Sequence, residues 1–396
     1  MTGREVFECI FAGNRPDRLP IQRVGAWDET VDRWRTEGLP PGEDPNRALG
    51  LGGEASEAAV GIPLNLNMVP AFPVRVLEKD QDYVKLVDEY GVTKRMMRAD
   101  FDRTGGRLGG AGQTSSMSQW LDFPVKDEGS WRAVFEQRFR SDLSGRVPDD
   151  WNARKHKLAA LARDKWVWYF GFPFFSLFGA VRQLMGLENM IFAMVDQPQL
   201  VHRIVDDLTD FHVATFERVL ADVPLDMVCF FEDMCATKAP LLGPDAFREF
   251  LAPGYRKVVG ALREMGVSQF FIDTDGNARP LIPDLLRCGI TGLLPCEVAS
   301  GMDAADLRDQ YPQLALSGGI DKRAITGNRQ TIKSEVERRM TTAWTHGRYL
   351  PALDHGAPPD ISWANIQFFA ECYRSGCMQS TGSTREMVRE CNQKRS

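Results

Sequence analysis

"FFIDTDGN", residues 270–277, is an apolar run that ends in two carboxylates one residue apart and then in glycine and asparagine. The run reads as a buried strand and the Asp-Gly pair as the turn that closes it. Asp273 and Asp275 have the same parity along an extended chain, so both can face one side of a sheet. What lies on that side is decided by the segments around it.

Outward from this strand the chain keeps a rhythm. Short apolar runs, "KWVWYF", "DMVCFFED", "SQFFIDTDG", "ITGLLPCEV", "LALSGGID" and "RYLPALDHG", alternate with stretches of helical periodicity such as "PDAFREFLAPGYRKVVGALREMG". Strand, helix, strand repeated is the signature of a parallel sheet. These runs together with an early candidate, "RLPIQRV", come close to eight strands and favour a closed barrel over an open sheet. The expected fold class is α/β: a distorted (β/α)8 TIM-type barrel with N-terminal helical and hairpin additions. The expectation is one domain over residues 1–396, with the additions in 1–160 and the regular repeats in 165–380. Within the additions, "VRVLEKDQDYVKLVDEYGVTKRMM" alternates about a "DEYG" turn and reads as a hairpin. Residues 103–118, "RTGGRLGGAGQTSSMS", read as a flexible loop that can act as a lid.

Composition narrows the function. A net charge of -6 and a pI near 5.6 argue against nucleic-acid binding, which draws on clustered Lys and Arg. No apolar run approaches a membrane span and no signal-peptide pattern opens the chain, so a cytoplasmic protein is expected. The 8 cysteines lack a CxxC pair, which fits reduced thiols rather than a zinc or disulfide framework. No GxGxxG or GxxxxGK[ST] follows the first strand, which weighs against nucleotide-binding folds.

In a (β/α)8 barrel the chemistry sits at the C-terminal strand ends. Here those ends carry Glu232 and Asp233, Asp273 and Asp275, Cys296 and Glu297, Asp321, and Asp354 and His355. Asp273, Asp275 and His355 suit a metal site or an acid/base group, or else helix capping and turn formation. Glu232 and Asp233 read as a ligand or general base, or as turn formers pairing with Lys238. Cys235 and Cys296 read as core residues before soft ligands, and His156 and His346 as solvated. The aromatic run "WVWYFGFPFF", residues 166–175, is either core or the wall of a pocket for a planar substrate. Tyr169, Phe172 and Trp27 are its candidate lining residues, with Arg23 and Asn277 as further substrate contacts. "GGID", residues 318–321, can cradle an anionic group on backbone amides.

"REVFECIFAGNRPDRLPI", "LMGLENMIFAMVDQPQLVHRIVDDLTD", "FEDMCATKAPLLGPDAFREFLAPGYRKV", "GGIDKR" and "DHGAPPDISWANIQFF" together resemble the uroporphyrinogen decarboxylase superfamily, which includes corrinoid-linked methyltransferases. The resemblance implies a barrel with its site in a cleft at the strand ends. It places His355 on the decarboxylase's cleft histidine, but the paired N-terminal arginines of that enzyme are missing: "IQRVGAW" offers Arg23 alone. It also places Asp273, Asp275 and His355 on the zinc ligands of the thiol-directed methyltransferases, with no thiolate among them. The reading that follows is an O-demethylase-type methyltransferase acting on an oxygen-methylated substrate, aromatic ones included. Its cofactors would be a divalent metal, zinc foremost, and a corrinoid carried by a partner protein, since no D-x-H-x-x-G motif is present. The alternatives are a metal-independent decarboxylase or lyase of a small acid, and a non-catalytic ligand-binding barrel.

Overall fold

A computed structural model describes residues 1–51, 58–106 and 117–378. The chain folds as two compact units that interleave in sequence. The larger takes Gly61–Ala160 and Val167–Thr291, and the smaller takes Met1–Val60, Leu161–Trp166 and Gly292–Ser396.

In the larger unit the strand Trp166–Gly171 pairs in parallel with Met227–Phe231, which pairs in parallel with Gln269–Asp273. The helices Phe178–Met185, Leu187–Asp196 and Pro198–Leu220 follow the first strand, and Ala252–Glu264 follows the second. Register settles which side chains share a face. Phe170 stands beside Cys229, and Cys229 beside Phe271. Phe231 stands beside Asp273. The opposite face carries Tyr169 and Phe230, which meet the helices: Tyr169 lies 5.5 Å from Phe216, and Phe230 lies 4.3 Å from Phe175. Burial of these rings is the main favourable term on that face.

An antiparallel sheet of Arg75–Lys79, Tyr83–Val87, Thr93–Met97 and Gln119–Asp122 forms the hairpin region. Asp88 makes its "DEYG" turn, with one carboxylate oxygen accepting the Tyr90 and Val92 amides at 3.0 Å each, while Gly91 takes φ +80. The expected lid falls largely on residues 107–116, which lie outside the described residues.

In the smaller unit, Ala315–Ile320 pairs in parallel with both Gly292–Leu294 and Tyr349–Leu353. The helices Ala304–Gln310, Arg329–His346 and Trp363–Cys377 follow these strands in turn. The early candidate "RLPIQRV" makes no strand, which corrects that expectation. Pro20 interrupts it, and this part of the chain touches sheet only through a bridge between Ala26 and Ala357. The strand Ala59–Gly61 takes its place in the count.

Arg146 shows how the larger unit holds its irregular segments. Its guanidinium is 2% exposed and donates to the carbonyls of Arg140, Asn65, Asn67 and Arg138, with its plane 4.4 Å from the Phe211 ring. One cation thus gathers two stretches of backbone, 65–67 and 138–140. Arg146→Met should lower unfolding free energy by about 3 kcal/mol, because the carbonyls lose their donors. Exposed Arg140→Ala should change it by less than about 0.5 kcal/mol. Urea denaturation checks both.

Candidate active site

Two loops at the C-terminal ends of adjacent strands of the larger unit are zipped together. The amides of Glu232 and Asp233 both donate to the Asp273 carbonyl, at 2.9 and 3.2 Å. The Met234 amide donates to the Thr274 hydroxyl at 3.0 Å, and the Asn277 amide to the Ala236 carbonyl at 2.9 Å. Gly276 permits this closeness: at φ +77, a Cβ there would sit 2.5 Å from the Ala236 oxygen.

This zipper sends neighbouring side chains to different places. Glu232 is fully buried, and its carboxylate accepts the amides of Leu177 at 2.7 Å and Gly179 at 2.9 Å. It thereby caps the first turn of the helix Phe178–Met185. Burial pushes it up to about 7, against the pull of the nearby Tyr255 hydroxyl and the Gly179, Leu177 and Phe178 amides. The expected ligand or general base is therefore a helix cap, removed from solvent by the parity of a single residue.

Asp233 turns the other way. It holds a left-handed backbone, φ 51, which a non-glycine residue adopts only when its surroundings compel it. Burial raises its carboxyl above the ordinary range and the adjacent Asp275 raises it further, while Arg182 pulls it down. The Arg182 guanidinium donates to the Asp233 carbonyl at 2.9 Å and stands 3.5 Å from its carboxylate. Asp233, Asp275 and Arg182 thus form one cluster of two acids and a cation. Arg182 was not anticipated; its one signal is a lone cation in the mostly apolar "FGAVRQLM".

The remaining candidates separate. Asp273 ends its strand half-buried on the face that carries Phe231. The Asn277 carboxamide oxygen accepts the Arg279 amide at 3.1 Å, and its NH2 donates to the Lys238 carbonyl at 3.4 Å. Tyr169 is 3% exposed and belongs to the aromatic core, which corrects its expected place in a substrate wall. Its same-strand neighbours Trp168 and Phe170 and the nearby Phe172 are 36%, 37% and 37% exposed. Burial pushes the thiols of Cys235 and Cys296 up to about 12, so neither is a ready thiolate.

The smaller unit holds the others. His355 is half-buried next to Asp354, which is buried and accepts the amides of Lys322 and Val298 at 3.1 Å each. Asp354 thereby ties the loops after three parallel strands. The Glu297 carboxylate accepts the Ser300 hydroxyl at 2.6 Å. Asp321 caps the turn Lys322–Ile325 and pairs with Arg323 at 2.7 Å. Exposed Arg23 pairs with Asp44 at 3.0 Å, and the Trp27 amide donates to the Ala357 carbonyl at 3.2 Å. "GGID" does not cradle an anion through Gly319, whose amide donates to the Pro295 carbonyl at 2.9 Å. Among the described residues no group of three or more His, Cys, Asp or Glu is placed to hold a metal ion. Of the expected ligand set, Asp273 and Asp275 belong to the larger unit and His355 to the smaller.

The family model for uroporphyrinogen decarboxylase (URO-D) matches residues 174–376, more than half of the 396-residue chain. The chain belongs to the uroporphyrinogen decarboxylase family. A uroporphyrinogen decarboxylase from Hydrogenobaculum sp. (strain Y04AAS1) is 26% identical over 69 residues. That match spans 17% of this chain and only 20% of the relative's length. Among solved structures, a methyltransferase from Methanosarcina mazei superposes with a TM-score of 0.57 at 15% identity, covering 95% of this chain and 99% of its own. A B12-independent methionine synthase from Shewanella sp. W3-18-1, in complex with selenomethionine, gives a TM-score of 0.42 at 10% identity, over 90% of this chain and 98% of its own. The likeness to the first shows the fold, an α/β architecture of TIM type. Among the described residues no helix is long and apolar enough to cross a membrane.

The burial of Glu232 has a pH signature. A carboxyl raised from 4.5 to about 7 favours the folded state below the lower value, and that stabilisation is lost as pH climbs to the upper one. The loss amounts to about 3 kcal/mol. Glu232→Gln should therefore destabilise the protein more at pH 4.5 than at pH 7.5, as read by urea midpoints at the two pH values.

Proposed function

We propose that this family member is a methyltransferase component of the O-demethylase type. It takes a methyl group from an oxygen-methylated small molecule and passes it to a corrinoid held by a partner protein. The observation that carries this reading is the acid pair: Asp233 and Asp275 lie together, beside Arg182, at the ends of adjacent parallel strands. The fold shared with a protein named a methyltransferase supports it.

An ether oxygen is a poor leaving group until its developing charge is neutralised. Asp233, whose carboxyl burial and Asp275 raise above the ordinary range, is suited to give that oxygen a proton. As the C–O bond breaks, its electron pair stays with the oxygen, which leaves as an alcohol or phenol. The partner's reduced corrinoid would supply the electron pair for the methyl carbon's new bond. Arg182 then stabilises the Asp233 carboxylate that remains. A divalent metal would need donors that the described residues do not assemble, so no step passes through one.

The family match favours a second reading, decarboxylation of a small acid, and sets the control. The test is to incubate the protein with methoxylated compounds and reduced cobalamin, following methylcobalamin by absorbance. Methyl transfer is expected, insensitive to chelator. Asp275→Asn should lower the rate by about 100-fold or more while leaving the melting temperature unchanged or higher, since it relieves repulsion with Asp233. The rate should fall as pH rises, because the acid form of Asp233 is lost. Carbon dioxide release from carboxylic acids with no methyl transfer would sink the proposal.

A further inference from the structure

The side chains at 168, 170 and 172 present a second feature of the larger unit. A strand within a parallel sheet usually has both faces covered, and large apolar side chains on it are buried. The strand Trp166–Gly171 departs from this. Val167 and Tyr169 are buried, whereas Trp168 and Phe170, and Phe172 just beyond the strand, each keep more than a third of their surface exposed. The neighbouring strand adds Phe231, half-buried on the face that Phe170 occupies. Phe231 meets Phe172 at 4.6 Å with an interplanar angle of 76° and Phe170 at 6.0 Å with an angle of 86°. Asp273 stands next to Phe231 on that face.

Resting on the methyl-transfer reading, we infer that Trp168, Phe170, Phe172 and Phe231 form the platform that selects a planar aromatic substrate. Ring pairs favour offset-stacked or edge-to-face contacts at about 4.5–7 Å. Phe170 and Phe172, both edge-on to Phe231, make a corner in which a further ring can stack on one wall and meet the other edge-on. The corner opens beside Asp273, whose strand end is zipped to the Asp233 loop, so a ring seated there carries its methoxy group towards the acid pair. An aliphatic ether offers the corner no ring face and loses these contacts. Aromatic side chains left partly wet on a sheet face are a recurring mark of a ligand site.

The probes are 4-methoxyphenol and 2-methoxyethanol, and binding is read by calorimetry, independent of turnover. The native protein should bind 4-methoxyphenol at least 10-fold more tightly than 2-methoxyethanol. Phe170→Ala and Phe172→Ala should each weaken the aromatic probe by 5-fold or more. Phe170→Leu, which keeps an apolar side chain but removes the ring, should weaken it comparably, with circular dichroism confirming the fold. Tyr169→Phe, on the opposite face, should leave affinity unchanged. Equal affinity for the two probes, or unchanged aromatic affinity in Phe170→Leu and Phe172→Ala, overturns the inference. Selective aromatic binding without methyl transfer to cobalamin would leave the platform standing and refute the function proposed above.

Discussion

The candidate site depends on one carbonyl oxygen. Asp273 ends its strand with an oxygen that receives the amides of both Glu232 and Asp233. A single acceptor taking two successive amides fixes the backbone between them, and φ 51 at Asp233 is the local expression of that constraint. Once the backbone is set, the side chain of Glu232 must enter the protein and that of Asp233 must leave it. The acid pair, the helix cap and the position of Arg182 all follow from this division.

Burying Glu232 sets two terms against each other. An ionised carboxylate away from water is unfavourable by several kcal/mol, yet the helix Phe178–Met185 begins with amides that need acceptors. Both carboxylate oxygens are used, on Leu177 and Gly179. Gly179 itself has to be glycine, since a Cβ there would lie 2.7 Å from the Phe231 oxygen. The same compact junction therefore positions the helix that delivers Arg182 to Asp233.

Much of this was legible in the chain. Six apolar runs each became a parallel strand, because short runs between amphipathic helices admit few other arrangements. The "DEYG" turn was readable from Asp88 and Gly91, whose chemistry the turn demands. Side-chain direction where strands end was not. Glu232 and Asp233 are equally acidic and adjacent, and nothing local tells which one the second loop will turn inward. The same ambiguity put Tyr169 on the substrate wall in place of Trp168 and Phe170. Arg182 carries no motif that would mark it, and its partner Asp233 lies 51 residues away along the chain.

The alternation along Trp166–Gly171 has a consequence for how this protein can diverge. From Val167 to Gly171 odd positions serve the core and even positions the wet face, so the two roles are interleaved at single-residue spacing. Inserting or deleting one residue would exchange them, driving Trp168 and Phe170 into the helices and exposing Tyr169. Ligand preference along this strand is thus free to drift through side-chain replacement at alternate positions, while the strand's length is held by the fold. Relatives with different substrates should differ in the identity of these rings and keep their spacing.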